Sequence, residues 1–107
     1  MAFFRQELAI DLGTANTVIF KDDQVVLDEP SIIALESKTD ALYAIGKEAQ
    51  QIEEHTPPRL YTIRPLMNGV IADYDAAEKM LTAFIKKASG IKGGLHKIIK
   101  KGLKIVI

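Results

Sequence analysis

The chain contains no cysteine. A disulfide framework, a thiolate metal site and a cysteine nucleophile are therefore excluded, and the composition suits a reducing compartment such as the cytoplasm. No apolar run approaches the roughly 20 residues a helix needs to cross a bilayer, and Met1-Ala2-Phe3-Phe4-Arg5-Gln6-Glu7 lacks the apolar centre of a signal peptide. The expectation is a protein neither exported nor integral to a membrane. Acids are also missing from residues 86–107. All 14 acids lie in residues 1–85 beside seven of the 14 bases, a balance of −7, whereas Lys86, Lys87, Lys92, Lys97, Lys100, Lys101 and Lys104 give the remainder +7. A net charge of zero thus hides a basic segment, which points to a polyanionic partner or an anionic membrane surface. No aromatic residue interleaves with those lysines, so a stacking site for single-stranded nucleic acid is not expected.

What is present is organised around Leu8-Ala9-Ile10-Asp11-Leu12-Gly13-Thr14-Ala15-Asn16-Thr17-Val18-Ile19-Phe20, two apolar runs joined by a small polar turn. The first run is nearly all aliphatic, as in a buried strand, and only Asp11 interrupts it. Gly13 would let the backbone approach a ligand closely. The N–H groups of Thr14, Ala15 and Asn16 could then point at an anion, helped by the Thr14 hydroxyl and the Asn16 amide. Asp11, just before that nest, would face a hydrated divalent cation accompanying phosphates. An ordinary tight hairpin, with Asp11 and Asn16 satisfying turn backbone, accounts for the same residues.

At 107 residues the chain is one domain at most. After the hairpin, Asp22-Asp23 predicts a turn into Gln24–Glu29, and Pro30 is expected to break the ladder, marking an edge position or a strand start before Ser31–Leu35. Ser37–Asp40 is a polar turn ahead of a fifth short strand, Ala41–Ile45. Sequence-adjacent strands of this kind pair as an antiparallel meander or a mixed sheet. Lys47–Ile52 predicts a helix of one or two turns, ended by His55-Thr56-Pro57-Pro58-Arg59, and His55 has no catalytic partner nearby in sequence. Leu60–Arg64 is extended, and Asn68-Gly69 turns the chain into Val70–Ala72. A helix should follow, capped by Asp73 or Asp75, with Glu78 completing a capping box from Asp75. Its buried stripe is Ala77, Met80, Leu81, Phe84, Ile85 and Ala88, and Ser89-Gly90 closes it. Residues 91–102 read as a mobile basic loop, and Leu103–Ile107 as a strand.

Ordered blocks along the chain carry a family resemblance: Ala9–Thr17, Asp28-Glu29-Pro30-Ser31-Ile32, Ile45-Gly46-Lys47-Glu48-Ala49, Ile63-Arg64-Pro65-Leu66 with Gly69–Asp73, and Ala77-Glu78-Lys79-Met80. The first block alone matches the superfamily of actin, the DnaK chaperones and the sugar kinases. Together the blocks resemble the N-terminal part of the MreB family, the bacterial actin homologues that govern rod cell shape. The resemblance implies an α/β fold with a mixed sheet, the N-terminal part of an actin-like (ribonuclease H-like) ATPase, here incomplete. Residues 1–27 and 63–107 would belong to the larger subdomain and residues 28–62 to the small outer one.

The first block would then be the phosphate-1 loop of an ATP site. Thr14, Ala15 and Asn16 would contact phosphates, Gly13 would permit the loop, and Asp11 would serve magnesium through water. The family's second phosphate loop, its hydrolytic carboxylate and its adenosine pocket all lie beyond the stretch that these residues match. Hydrolysis by these residues alone is therefore not expected. The family forms filaments on the inner face of the cytoplasmic membrane, which implies self-association and a cytoplasmic, peripheral location. Leu95, Ile98 and Ile99 would enter the interface while Lys92, Lys97, Lys100 and Lys101 meet anionic headgroups, with Phe3 and Phe4 as a second contact. A solvated lysine-rich loop is the plainer reading of that segment. Two other functions remain open: a sugar kinase of the same superfamily, and a stand-alone basic module that binds membrane.

Overall fold

Period-two alternation builds the strands, and the computed structural model describes residues 7–55, 57–90 and 104–106, with side chains for 8–55 and 57–90. The first sheet has the order β3-β2-β1-β9. In it β1 (Glu7–Leu12), β2 (Asn16–Lys21) and β3 (Gln24–Pro30) are antiparallel neighbours, and β9 (Lys104–Val106) lies parallel to β1. The sheet is mixed, as expected. Pro30 does not break the ladder. It is the last residue of β3, opposite Asn16, and β3 is an edge strand whose outer side needs no N–H from proline.

The second sheet has the order β5-β4-β6, with β4 (Ile33–Glu36) between β5 (Leu42–Ile45) and β6 (Leu60–Ile63). Alternate residues of the Ile32–Leu35 run serve two different cores. Ile33 and Leu35 join Leu8, Ile10, Ile19, Leu27, Met80, Phe84 and Ile85 in the main core. Ile32 and Ala34 instead pack with Ala44 and Ala49, so that this side of β4 is covered by α1 (Gly46–His55). The ten-residue α1 is longer than the one or two turns predicted. Its mostly polar sequence is a weak helix signal, and docking against β4 extends it.

Where a turn was expected, Leu66–Ile71 forms a small hairpin of β7 (Leu66–Met67) and β8 (Val70–Ile71), with Asn68 and Gly69 at its tip. It leads into α2 (Tyr74–Ser89), whose N-cap is Asp73: its carboxylate accepts from the Ala76 N–H at 3.0 Å. Asp75 lies inside the first turn, so the predicted capping box from Asp75 to Glu78 does not form. Gly90 closes α2 in a left-handed conformation, donating its N–H to the Lys86 carbonyl. The predicted stripe packs inward, with Ala77, Met80, Phe84 and Ile85 buried and Leu81 and Ala88 packed partly against the core. Ala76 is buried too. Truncating the fully buried Phe84 to alanine is expected to cost about 3–5 kcal/mol.

One polar joint ties these units together. Glu29, 6% exposed, reaches from β3 to the start of α1, where the Lys47 N–H donates to it at 3.1 Å, and its other oxygen accepts from Lys87 Nζ on α2. Gly46 sits beside it at φ +59°, and a Cβ there would fall on the Glu29 carboxylate. Glycine is required at that position on both counts.

Candidate functional site

The turn between β1 and β2 is held from outside by residues distant in sequence. Leu12 pairs with Thr17 in the last rung of the hairpin, leaving residues 13–16 at its tip. Gly13 donates its N–H to the Asn16 carbonyl at 3.1 Å, and a Cβ on Gly13 would lie 2.6 Å from that same oxygen. Ser31, just beyond β3, then binds the turn twice. Its N–H donates to the Ala15 carbonyl at 2.8 Å and its hydroxyl to the Gly13 carbonyl at 2.6 Å. Thr17 Oγ1 lies 2.8 Å from Ser31 Oγ, and both residues are fully buried. A serine hydroxyl has one proton, and Gly13 receives it, so Thr17 is the donor in that pair.

The carbonyls of Gly13, Ala15 and Asn16 are thereby all engaged, whereas none of the turn's hydrogen bonds uses the N–H of Thr14, Ala15 or Asn16. Thr14, Ala15 and Asn16 are exposed. The Thr14 hydroxyl accepts from the Gly69 N–H at 2.7 Å, which leaves its own proton free to donate outward. The Asn16 amide, expected to help hold an anion, is turned instead toward Asp28, to whose carboxylate it donates at 3.2 Å. Outward N–H groups with inward carbonyls form an anion-accepting concavity.

Asp11 is exposed and sits opposite Val18, which is in turn opposite Asp28. Cross-strand partners share a face, so the two carboxylates flank Val18 on one side of the sheet, about 10 Å apart at ordinary strand spacing. Among the described residues no group of three or more histidine, aspartate or glutamate side chains could hold a metal ion. Asp11 fits a cation that keeps its water shell, as magnesium beside phosphates usually does.

The structure thus gathers Asp11, Gly13, Thr14, Ala15 and Asn16 at one end of the first sheet. Phe3, Phe4, Lys92, Leu95, Lys97, Ile98, Ile99, Lys100 and Lys101, the expected membrane contacts, lie outside the described residues. The sequence alone does not single out Ser31, Asp28 or Gly69. A signal was available for Ser31 and Thr17: hydroxyls embedded in aliphatic runs must find partners when buried.

A second polar cluster lies away from the turn. Asp40, at φ +58°, accepts from the Tyr61 hydroxyl, and its carbonyl accepts from Lys79 Nζ at 2.9 Å. The bond to Asp40 raises the Tyr61 phenol above its ordinary 10.0, with desolvation and the carboxylates of Asp40 and Asp73 adding to it.

The family profile described as MreB/Mbl protein matches residues 5–106. The cell shape-determining protein Mbl of Bacillus subtilis (strain 168) is 44% identical over 91 residues, which cover 84% of this chain and 27% of that protein. The cell shape-determining protein MreB of Haemophilus influenzae is 46% identical over 89 residues, covering 78% of this chain and 25% of its own length. The chain therefore spans about a quarter of the length of the curated relatives it matches. MreB5 of Spiroplasma citri bound to ADP superposes with a TM-score of 0.71 at 28% identity, over 94% of this chain and 37% of that one. Its AMPPNP complex gives the same TM-score over 98% and 39%.

Proposed function

Because the chain belongs to the MreB/Mbl family of cell shape-determining, actin-like proteins, we propose that its Gly13–Asn16 turn is the first phosphate-binding wall of an ATP site. The observation that carries this reading is the orientation of the turn, whose engaged Gly13 and Ala15 carbonyls leave the Thr14 and Asn16 N–H groups and the Thr14 hydroxyl to face a phosphate. The solved MreB5 relative binds ADP and AMPPNP, which supports the same choice of ligand. Gly13 allows the close approach, and Asp11 orients water around a magnesium ion that would neutralise phosphate charge. Hydrolysis is assigned, in the family, to segments beyond the stretch that these residues match. In the subdomain division proposed with it, residues 28–62 are the small outer unit, and residues 1–27 with 63–107 belong to the larger one.

One wall supplies few phosphate contacts and none to the base, so the isolated chain should bind Mg-ATP with a dissociation constant near millimolar, around −4 kcal/mol. Amide chemical shifts followed during a Mg-ATP titration test this. Saturable shifts at Thr14, Ala15 and Asn16 are expected, and a micromolar constant, or shifts confined to other residues, would overturn it.

The proposed setting is a filament of the whole protein on the inner face of the cytoplasmic membrane. The +7 charge of residues 86–107 supports it, each lysine near an anionic surface being worth roughly 1 kcal/mol. In flotation assays the chain should rise with anionic vesicles and not with neutral ones. Equal binding to both, or to neither, removes the electrostatic part of the proposal.

A further inference from the structure

In a two-residue hairpin of ordinary form, the first carbonyl of the turn accepts the N–H three residues on. Here that bond would join the Asn16 N–H to the Gly13 carbonyl. Only the reverse bond, from Gly13 N–H to the Asn16 carbonyl, is made, and Ser31 Oγ takes the Gly13 carbonyl instead.

The consequence follows from peptide geometry. In a trans peptide unit the C=O and the following N–H point in opposite directions. By drawing the Gly13 carbonyl inward, Ser31 turns the Thr14 N–H outward. Its backbone N–H does the same to the Ala15 carbonyl and so to the Asn16 N–H. Both bonds come from one buried residue, itself fixed by the Thr17 hydroxyl.

We infer that Ser31 is a positioning residue for anion binding, keeping the turn open so that the Thr14 and Asn16 N–H groups converge on a phosphate. The inference rests on the phosphate reading of the turn for its ligand, and on the hydrogen bonds alone for its geometry. Ser31 never touches the ligand. It prevents the hairpin from closing on its own donor.

Two variants separate this role from plain support of the fold. Ser31→Ala removes the hydroxyl that holds Gly13, whereas Thr17→Val removes the donor behind it and leaves the Ser31–Gly13 bond in place. Mg-ATP affinity, read from amide shifts, should fall about five- to tenfold in Ser31→Ala, as loss of one hydrogen bond implies, and change less than about twofold in Thr17→Val. Equal weakening in both variants, or none in Ser31→Ala, overturns the inference. A ligand-free readout stands beside these. In the wild-type chain the Thr14 and Asn16 amides should exchange with solvent much faster than the Gly13 amide, and in Ser31→Ala the Asn16 amide should slow as the closing bond forms. Asn16 protection equal to that of Gly13 in the wild type overturns the inference even if Ser31→Ala fails to fold. If the wild-type amides ignore Mg-ATP while this exchange pattern holds, the phosphate reading fails and the role of Ser31 in opening the turn stands.

Discussion

The strand β2 ends in a tight turn at each extremity, and the two turns differ in what holds them. At the far end Asp22 and Asp23 both take left-handed conformations, φ 52° and 64°, between the paired Lys21 and Gln24. This is the self-sufficient hairpin geometry, which closes with local bonds and suits the twist of its strands. Both aspartates are exposed. The near turn, residues 13–16, instead depends on Ser31, Thr17, Asp28 and Gly69, which lie up to 55 positions away. A turn that closes itself has spent its own donors. One held open by others can offer them to a ligand.

Substitutions at the two turns should break that contrast in order of size. Gly13→Ala places a methyl against the Asn16 carbonyl and should lower stability in denaturant by about 2 kcal/mol, while abolishing the amide response to Mg-ATP. Thr17→Val leaves the buried Ser31 oxygen without its donor and should cost about 1–2 kcal/mol, with Thr17→Ser restoring most of it. Asp23→Gly, at the self-closing turn, should change stability by less than about 0.5 kcal/mol by the same measurement. A comparable loss there would mean that both ends are built alike.

The smallest effect concerns a third turn, at Asp40, which is also pinned from outside. The raised Tyr61 phenol keeps its proton in the folded chain while an unfolded tyrosine loses it near 10. The stabilisation is therefore complete below pH 10 and is lost as pH climbs through the raised value. Thermal melts between pH 9 and 11 should show a slightly steeper alkaline decline in the wild type than in Tyr61→Phe.

Local pattern made much of this legible in advance. The strand succession, the edge position of Pro30, the helix after Asp73 and its apolar stripe all follow from periodicity and caps, which act over a few residues. The turn between β1 and β2, with Gly13 and its small polar neighbours at its tip, was visible too. What stayed hidden is the set of contacts between distant residues. Nothing near Thr14 in sequence says that Gly69 will donate to it. Likewise nothing near Asn16 says that its amide will prefer Asp28, and the choice of Asp73 over Asp75 as cap depends on how β8 delivers the chain to α2. The length of α1 was underestimated for the same reason, since its stability comes from Ile32, Ala34 and Ala44 beneath it.

The joint at Glu29 has a mechanical consequence. Only Pro30 separates it from Ser31, so one short segment grips the turn between β1 and β2 at one end and the start of α1 at the other. The carboxylate also holds α2 through Lys87, and the glycine at position 46 leaves no room for slack between them. Any rotation of α1 and β4–β6 about this segment must either carry Glu29 and its partner Lys87 along or break the bond from the Lys47 N–H to that buried carboxylate. Through this one segment the turn at Gly13 is therefore connected, by three polar contacts, to the first turn of one helix and the last turn of the other.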